Sequence, residues 1–146
     1  MVSATSGEFI SNRAWLQAVA GGRDWILCHT SALEYLQLFV GYLNEKHIEV
    51  YAKEPGEFEN ISYRIVDSFG GIETVELRGV RCTSENQTIN DMLADFDNID
   101  EQSLVEGLST YYYTHGESFD GLLIEPKNQA AFDSIKDWAI EYYDQS

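Results

Sequence analysis

Chemistry requires reactive side chains held close together, so the histidines, cysteines and strand-borne carboxylates of this sequence come first. The three histidines, His29, His47 and His115, stand far apart and fall into no ligand spacing. There is no Cys-x-x-Cys and no His-x-x-x-His pair, so no metal ligand is predicted. His29, just ahead of a helix start, reads as a local hydrogen bonder. Glu49, Tyr51 and Lys53 alternate along one strand face. Metal-assisted phosphodiester hydrolysis places carboxylates and a lysine around a hard cation, but Tyr51 stands beside the lysine where an acid is wanted. Glu49 and Lys53 therefore read as solvated surface, and a hydrolase built on Glu49 is the least favoured reading.

Other reactive patterns fail in the same way. Gly21-Gly22 and Gly70-Gly71 lack the lysine and hydroxyl of a phosphate loop, so they read as a helix stop and a hairpin turn. No Gly-x-Ser-x-Gly elbow is present, and Ser31 and Ser84 stand where helix caps belong. No catalytic residue, cofactor or metal is assigned, and the chain reads as non-enzymatic.

The elements that position these residues follow from periodicity. Ser11 is placed to cap a first helix carrying Trp15, Leu16 and Val19, with Phe9 and Ile10 over its first turn. Trp25–Cys28 is a short apolar run, a strand or an extended lead-in. Ser31 with Glu34 resembles a capping box opening a helix with Leu33, Leu36 and Val40 on one face, and Tyr35 and Phe39 elsewhere. Apolar around most of its girth, this helix is expected at the centre. Residues 47–53 alternate with Ile48, Val50 and Ala52 on one side, the pattern of a half-buried strand. Residues 61–66 and 72–77 read as two strands joined by an antiparallel hairpin through Ser68–Gly71, and 80–82 as a fourth. Ser84 and Gln87 form a second capping box before Ile89, Met92, Leu93 and Phe96. Asp100 caps the next helix, with Leu104, Val105, Leu108 and Tyr111 inward; the last carries Phe132, Ile135, Ala139 and Tyr142. Helices, then strands, then helices predict an α+β fold in which about five helices cover a small antiparallel sheet of three to four strands. Residues 1–146 are read as one domain.

The charge is uneven. The chain holds 25 acidic and 9 basic residues. Beyond Cys82 there are 14 acids and 2 bases, Lys127 and Lys136, a net of −12, against −4 before it. That half has no basic surface to neutralise phosphates, which argues against DNA as a partner. Solubility or a docking face for a basic protein are the roles left to such acidity. Cys28 and Cys82, in apolar stretches, read as buried thiols of a cytoplasmic protein. The N-terminal stretch lacks the pattern of a signal peptide, and no apolar run is long enough to span a membrane. Tyr111 and Tyr142 read as core, whereas Tyr112 and Tyr143 are candidates for an outward partner surface.

Val80–Leu93 carries the one family resemblance. A short strand turns through Thr83-Ser84 into a helix reading threonine, hydrophobic, x, aspartate, hydrophobic from Thr88 to Met92. This resembles AbiEi-type antitoxins. The helix of Gln102–Tyr113, with Gly107 where alanine is more usual, and Ser31-Ala32-Leu33 upstream are similar to further segments of that family. The likeness spans residues 25–113 in patches. Its motif residues, Ser31, Thr83, Ser84, Gln87, Thr88 and Asp91, are structural in character. The resemblance implies the antitoxin half of a type IV toxin–antitoxin (abortive infection) pair, set against a nucleotidyltransferase-like toxin. Such domains usually follow a winged helix that binds operator DNA. The residues preceding this match are too few for one, so the resemblance implies antagonism of the toxin without operator binding.

Overall fold

The computed structural model describes residues 12–39 and 47–143, with side chains from Leu16 onward. The proposed cap at Ser11, with Phe9 and Ile10, lies outside the described residues, as does Val40. The elements run α1 (Asn12–Ala20), β1 (Trp25–Leu27), α2 (His29–Tyr35), β2 (Ile48–Ala52), β3 (Ile61–Ile65), β4 (Thr74–Leu77), β5 (Val80–Thr83), α3 (Glu85–Ala94), α4 (Glu101–Thr114) and α5 (Gln129–Tyr142). Single 3₁₀ turns sit at Phe96–Asn98 and Pro126–Asn128. The fold is α+β, as the segregated order predicts.

The sheet corrects the expectation of a small antiparallel one. It is mixed and five-stranded, in the order β3-β2-β1-β5-β4. β1 pairs antiparallel with β2 and parallel with β5; β2 and β3 run parallel, and β4 and β5 antiparallel. The short run at residues 25–27 is thus the central strand. β3 and β4 are not a hairpin but the two opposite edges. The turn at Ser68–Gly71 does form, with Ile72 N–H donating to Phe69 and Gly71 at φ 86°, but inside a connection that crosses the sheet. Phe69 from this strap lies 4.9 Å from Lys53 Nζ and 5.1 Å from Arg81 Cζ, in cation–π contact with both.

Alternation decides the faces. Ile48, Val50 and Ala52 are buried together with Leu27, Cys82 and Val80, and this face packs on Leu16 and Ala20 of α1 and on Ala32 and Tyr35 of α2. The opposite face is polar, carrying Glu49, Tyr51, Arg64 and Arg81 in register. Leu33 points the other way from Ala32, into a second core made with Ile89, Met92, Leu104, Leu108 and Ile135. Leu36 touches both cores. The expectation that this helix is central holds. α2 ends on Gln37 at φ 64°, where Leu38 N–H donates to Leu33 O and Gln37 N–H to Glu34 O.

Cys28 and Cys82 are buried free thiols. Among the described residues no helix is long and apolar enough to cross a membrane.

The β4–β5 hairpin turns through Arg78 and Gly79, at φ 51° and φ 79°. Two consecutive left-handed residues define a type I′ turn, for which asparagine followed by glycine is best suited. Arg78→Asn is expected to stabilise the protein by roughly 0.5 kcal/mol, and Gly79→Ala to destabilise it by about 1 kcal/mol or more. Urea midpoints of the two variants check both signs.

Candidate functional site

The polar face of the sheet, where α2 begins and α3 crosses, gathers a connected set of buried and half-buried polar side chains. It starts from a helix without a cap of its own. Cys28 occupies the cap position of α2 in extended conformation and makes no side-chain cap bond. Ser31, expected to open that helix, is instead its third residue and buried. The first-turn donors still need acceptors. Glu49 supplies one from β2: its Oε2 accepts from Thr30 N–H at 3.1 Å, while its own N–H donates to Ser31 Oγ at 2.9 Å. The strand and helix therefore cap each other.

Glu49 is consequently not the solvated carboxylate expected of it. Its side chain is 20% exposed, and its Oε1 lies 3.5 Å from Arg64. Arg64 reaches Asp95 at 3.3 Å with its other terminal nitrogen. Lys53 is solvated as expected, pairing with Asp24 at 3.4 Å. Among the described residues no group of three or more His, Cys, Asp or Glu is arranged to hold a metal ion.

His29 departs furthest from expectation. It is 2% exposed, and its backbone adopts φ 50°, a left-handed conformation that ordinary side chains rarely take. Neither ring nitrogen has a hydrogen-bond partner among the described residues. The nearest charge is Asp95, whose Oδ2 stands 3.9 Å from Nε2. Burial, and then the Arg64 guanidinium, hold the imidazole below its usual 6.5, against the pull of Glu49, Asp91 and Asp95. Asp95 itself is held below the usual carboxylate range by the hydrogen bond from Asn98 and by Arg64. Burial, with Glu49 nearby, raises the Cys28 thiol far above its usual range, so it is a poor nucleophile.

The motif residues form one connected network beside this cluster. Ser84 Oγ accepts from Gln87 N–H at 3.1 Å, so the expected cap of α3 is present. The capping-box return is not made by Gln87. Its Oε1 instead accepts from Glu73 N–H at 2.9 Å, while its Nε2 donates to Asp91 at 2.8 Å. The other Asp91 oxygen accepts from Tyr51 O–H at 2.8 Å, tying α3 to β2. Glu73, at the foot of β4, accepts from Ser84 O–H. Thr83 and Thr88 join their hydroxyls at 2.6 Å in the interior, where Thr88 also donates to Ser84 O. The structure thus brings together Thr83, Ser84, Gln87, Thr88 and Asp91, and keeps Ser31 nearby on the other side of Glu49. Burial and Asp91 raise the Tyr51 phenol well above its ordinary value.

The two tyrosines proposed for a partner surface part company. Tyr112 is half-buried, its ring 4.8 Å from Phe119 and 5.1 Å from Tyr113, so it packs within the fold. Tyr143 is 40% exposed and its N–H donates to Ser109. Tyr111 is buried, whereas Tyr142 is only half-buried, with its hydroxyl donating to Glu106 at 2.6 Å. Sequence reasoning missed Arg64, Asp95 and Glu73. Arg64 shares a strand face with Ser62, which marks that face as polar, but nothing local pairs it with Glu49 or Asp95.

Compared with known proteins, the chain matches no family model and no curated sequence.

His29 gives a pH prediction. Because the folded imidazole resists protonation, the unfolded chain takes up the proton first as pH falls below 6.5. Stability is therefore full above that pH and declines below it, by at most about 1.4 kcal/mol per pH unit. His29→Asn keeps a side chain that tolerates left-handed backbone but does not titrate. Its stability should fall less than that of the wild type between pH 6.5 and about pH 5. Equal slopes in urea titrations would remove His29 from the account.

Proposed function

We propose that the chain is a non-enzymatic, AbiEi-like antitoxin that antagonises a nucleotidyltransferase-like toxin in the cytoplasm. The resemblance of Val80–Leu93 to that family supports this reading. The observation that carries it is the engagement of the motif's own polar groups. Ser84 caps α3, Thr83 and Thr88 bond each other, Gln87 bridges Glu73 and Asp91, and Asp91 receives Tyr51. Polar side chains engaged in holding a helix to a sheet support a structural role for this motif. Glu49, the carboxylate on which a hydrolase would have to rely, is occupied by Thr30 N–H and Arg64.

The charge supports a protein partner over DNA. A net charge of −16 repels a polyanion and favours encounter with a basic surface. A general acidic interaction module is the second reading, favoured by the −12 balance beyond Cys82.

Co-expression with a nucleotidyltransferase-like protein encoded beside this gene is expected to restore growth that the toxin alone arrests. Growth curves with and without the chain measure it, and arrest that persists at equal toxin levels defeats the proposal.

A further inference from the structure

We infer that β4 is a self-association edge: two copies of this chain pair antiparallel along Thr74–Leu77 about a two-fold axis at Val75, joining their sheets into one. The inference stands apart from the antitoxin reading and survives its failure.

The edge itself is the first reason. β4 ends the sheet, with β5 on one side and, among the described residues, no strand on the other. The ladder decides which of its groups face outward. Ser84 N–H donates to Glu73 O, and the register runs Val75 to Cys82 and Leu77 to Val80, so Glu73, Val75 and Leu77 bond toward β5. Thr74 and Glu76 therefore turn their N–H and C=O groups away from the sheet. Edges of this kind are commonly guarded by a lysine, a proline or a bulge. β4 reads Thr-Val-Glu-Leu in unbroken register and has none of these. Val75, beside the buried Cys82, is 37% exposed and continues the apolar face to the rim.

Charge selects both the occupant and the register. The hairpin from Thr74 to Thr83 holds one acid, Glu76, and two bases, Arg78 and Arg81, on a chain whose net charge is −16. Two copies can thus meet here without the repulsion that the rest of the surface imposes. With the axis at Val75, that side chain faces the partner's Val75 across a non-hydrogen-bonded position, where side chains come closest. Thr74 then faces the partner's Glu76, and Glu76 the partner's Thr74. Their outward N–H and C=O groups bond each other, and each carboxylate meets a hydroxyl. Sliding the pair by two residues in one direction sets Glu76 against the partner's Glu76, and like charges directly opposite are unfavourable. Sliding it the other way sets Val75 against the partner's Glu73 and loses the apolar pair. β3, the opposite edge, is not self-complementary in this sense: an axis at Tyr63 sets Glu59 against the partner's Asp67. An interface of one short strand is small, so the dimer is weak and forms with rising concentration.

Two measurements on the full chain test this. In the first, sedimentation velocity is followed over a concentration series. The wild-type mass should climb from 16.6 kDa toward twice that value. Thr74→Glu sets an acid against Glu76 on both sides of the axis and should weaken the dimer about fivefold or more, whereas Thr74→Lys sets an ammonium there and should tighten it. Thr74 is exposed, so both variants should keep the wild-type urea midpoint. In the second, Val75→Cys and Glu76→Cys are each oxidised mildly; the native Cys28 and Cys82 are buried. Opposed residues at a non-hydrogen-bonded position have Cα atoms about 4.5 Å apart, within reach of a disulfide. Val75→Cys should therefore crosslink two copies, while Glu76→Cys, whose copies lie diagonally across the axis, should not. A monomer at every concentration, a dimer indifferent to both Thr74 substitutions or moved the same way by them, or crosslinking through Glu76→Cys as readily as through Val75→Cys overturns the inference.

Discussion

The reciprocal bond between Glu49 and the first turn of α2 is the constraint from which much of the architecture follows. A helix of seven residues has few internal hydrogen bonds to stabilise it, and this one is preceded by a cysteine whose side chain caps none of its first amides. Its start is closed from β2, by the carboxylate on Thr30 N–H and by Ser31 Oγ on Glu49 N–H. Because β2 lies beside β1, and β1 leads directly into α2, the arrangement closes a tight circuit of strand, helix and neighbouring strand. α2 is thereby set between the sheet core and the helical core, with Ala32 facing one and Leu33 the other.

The second join is made by α3. Tyr51 on the sheet and Gln87 on the helix share the two oxygens of Asp91, and Glu73 extends the chain of bonds to the far edge. Arg64 holds β3 to the end of the same helix through Asp95. A sheet with only one apolar face needs polar cover on the other, and these residues provide it. His29 sits between the two joins, buried, backbone-strained and, among the described residues, without hydrogen bonds on its ring. Such a combination is costly and is tolerated only where the surroundings dictate it.

Much of this organisation was legible from local pattern. The alternation of Ile48, Val50 and Ala52, the caps at Ser84 and Asp100 and the buried stripe of α4 appear as read, whereas α5 buries Phe132, Ile135 and Ala139 but leaves Tyr142 half-buried. What failed was non-local. Two strand-like runs separated by Gly70-Gly71 have the pattern of a hairpin, and nothing in their composition says that β3 prefers to lie parallel to β2. The true hairpin turn, Arg78-Gly79, carries a weaker signature because arginine stands where asparagine is usual. Ser31 and Glu34 satisfied the capping-box spacing, yet the helix cap falls three residues earlier, at Cys28, and Glu49 supplies an acceptor to the first turn. The Glu49–Arg64–Asp95 cluster draws on three separate elements, so only the sheet register could reveal it.

The strap that carries Phe69 has a further consequence for how the molecule tolerates change in length. It joins the two outermost strands, which lie four inter-strand steps apart, roughly 19 Å. Eight residues, 66–73, make that crossing, and part of their reach is lost to the turn at Gly70-Gly71. Ordinary surface loops accept insertions and deletions because their ends already meet. This one works as a girth line: cut short, it would pull the rims of the sheet inward, and lengthened, it would slacken the contact of Lys53 and Arg81 with the Phe69 ring.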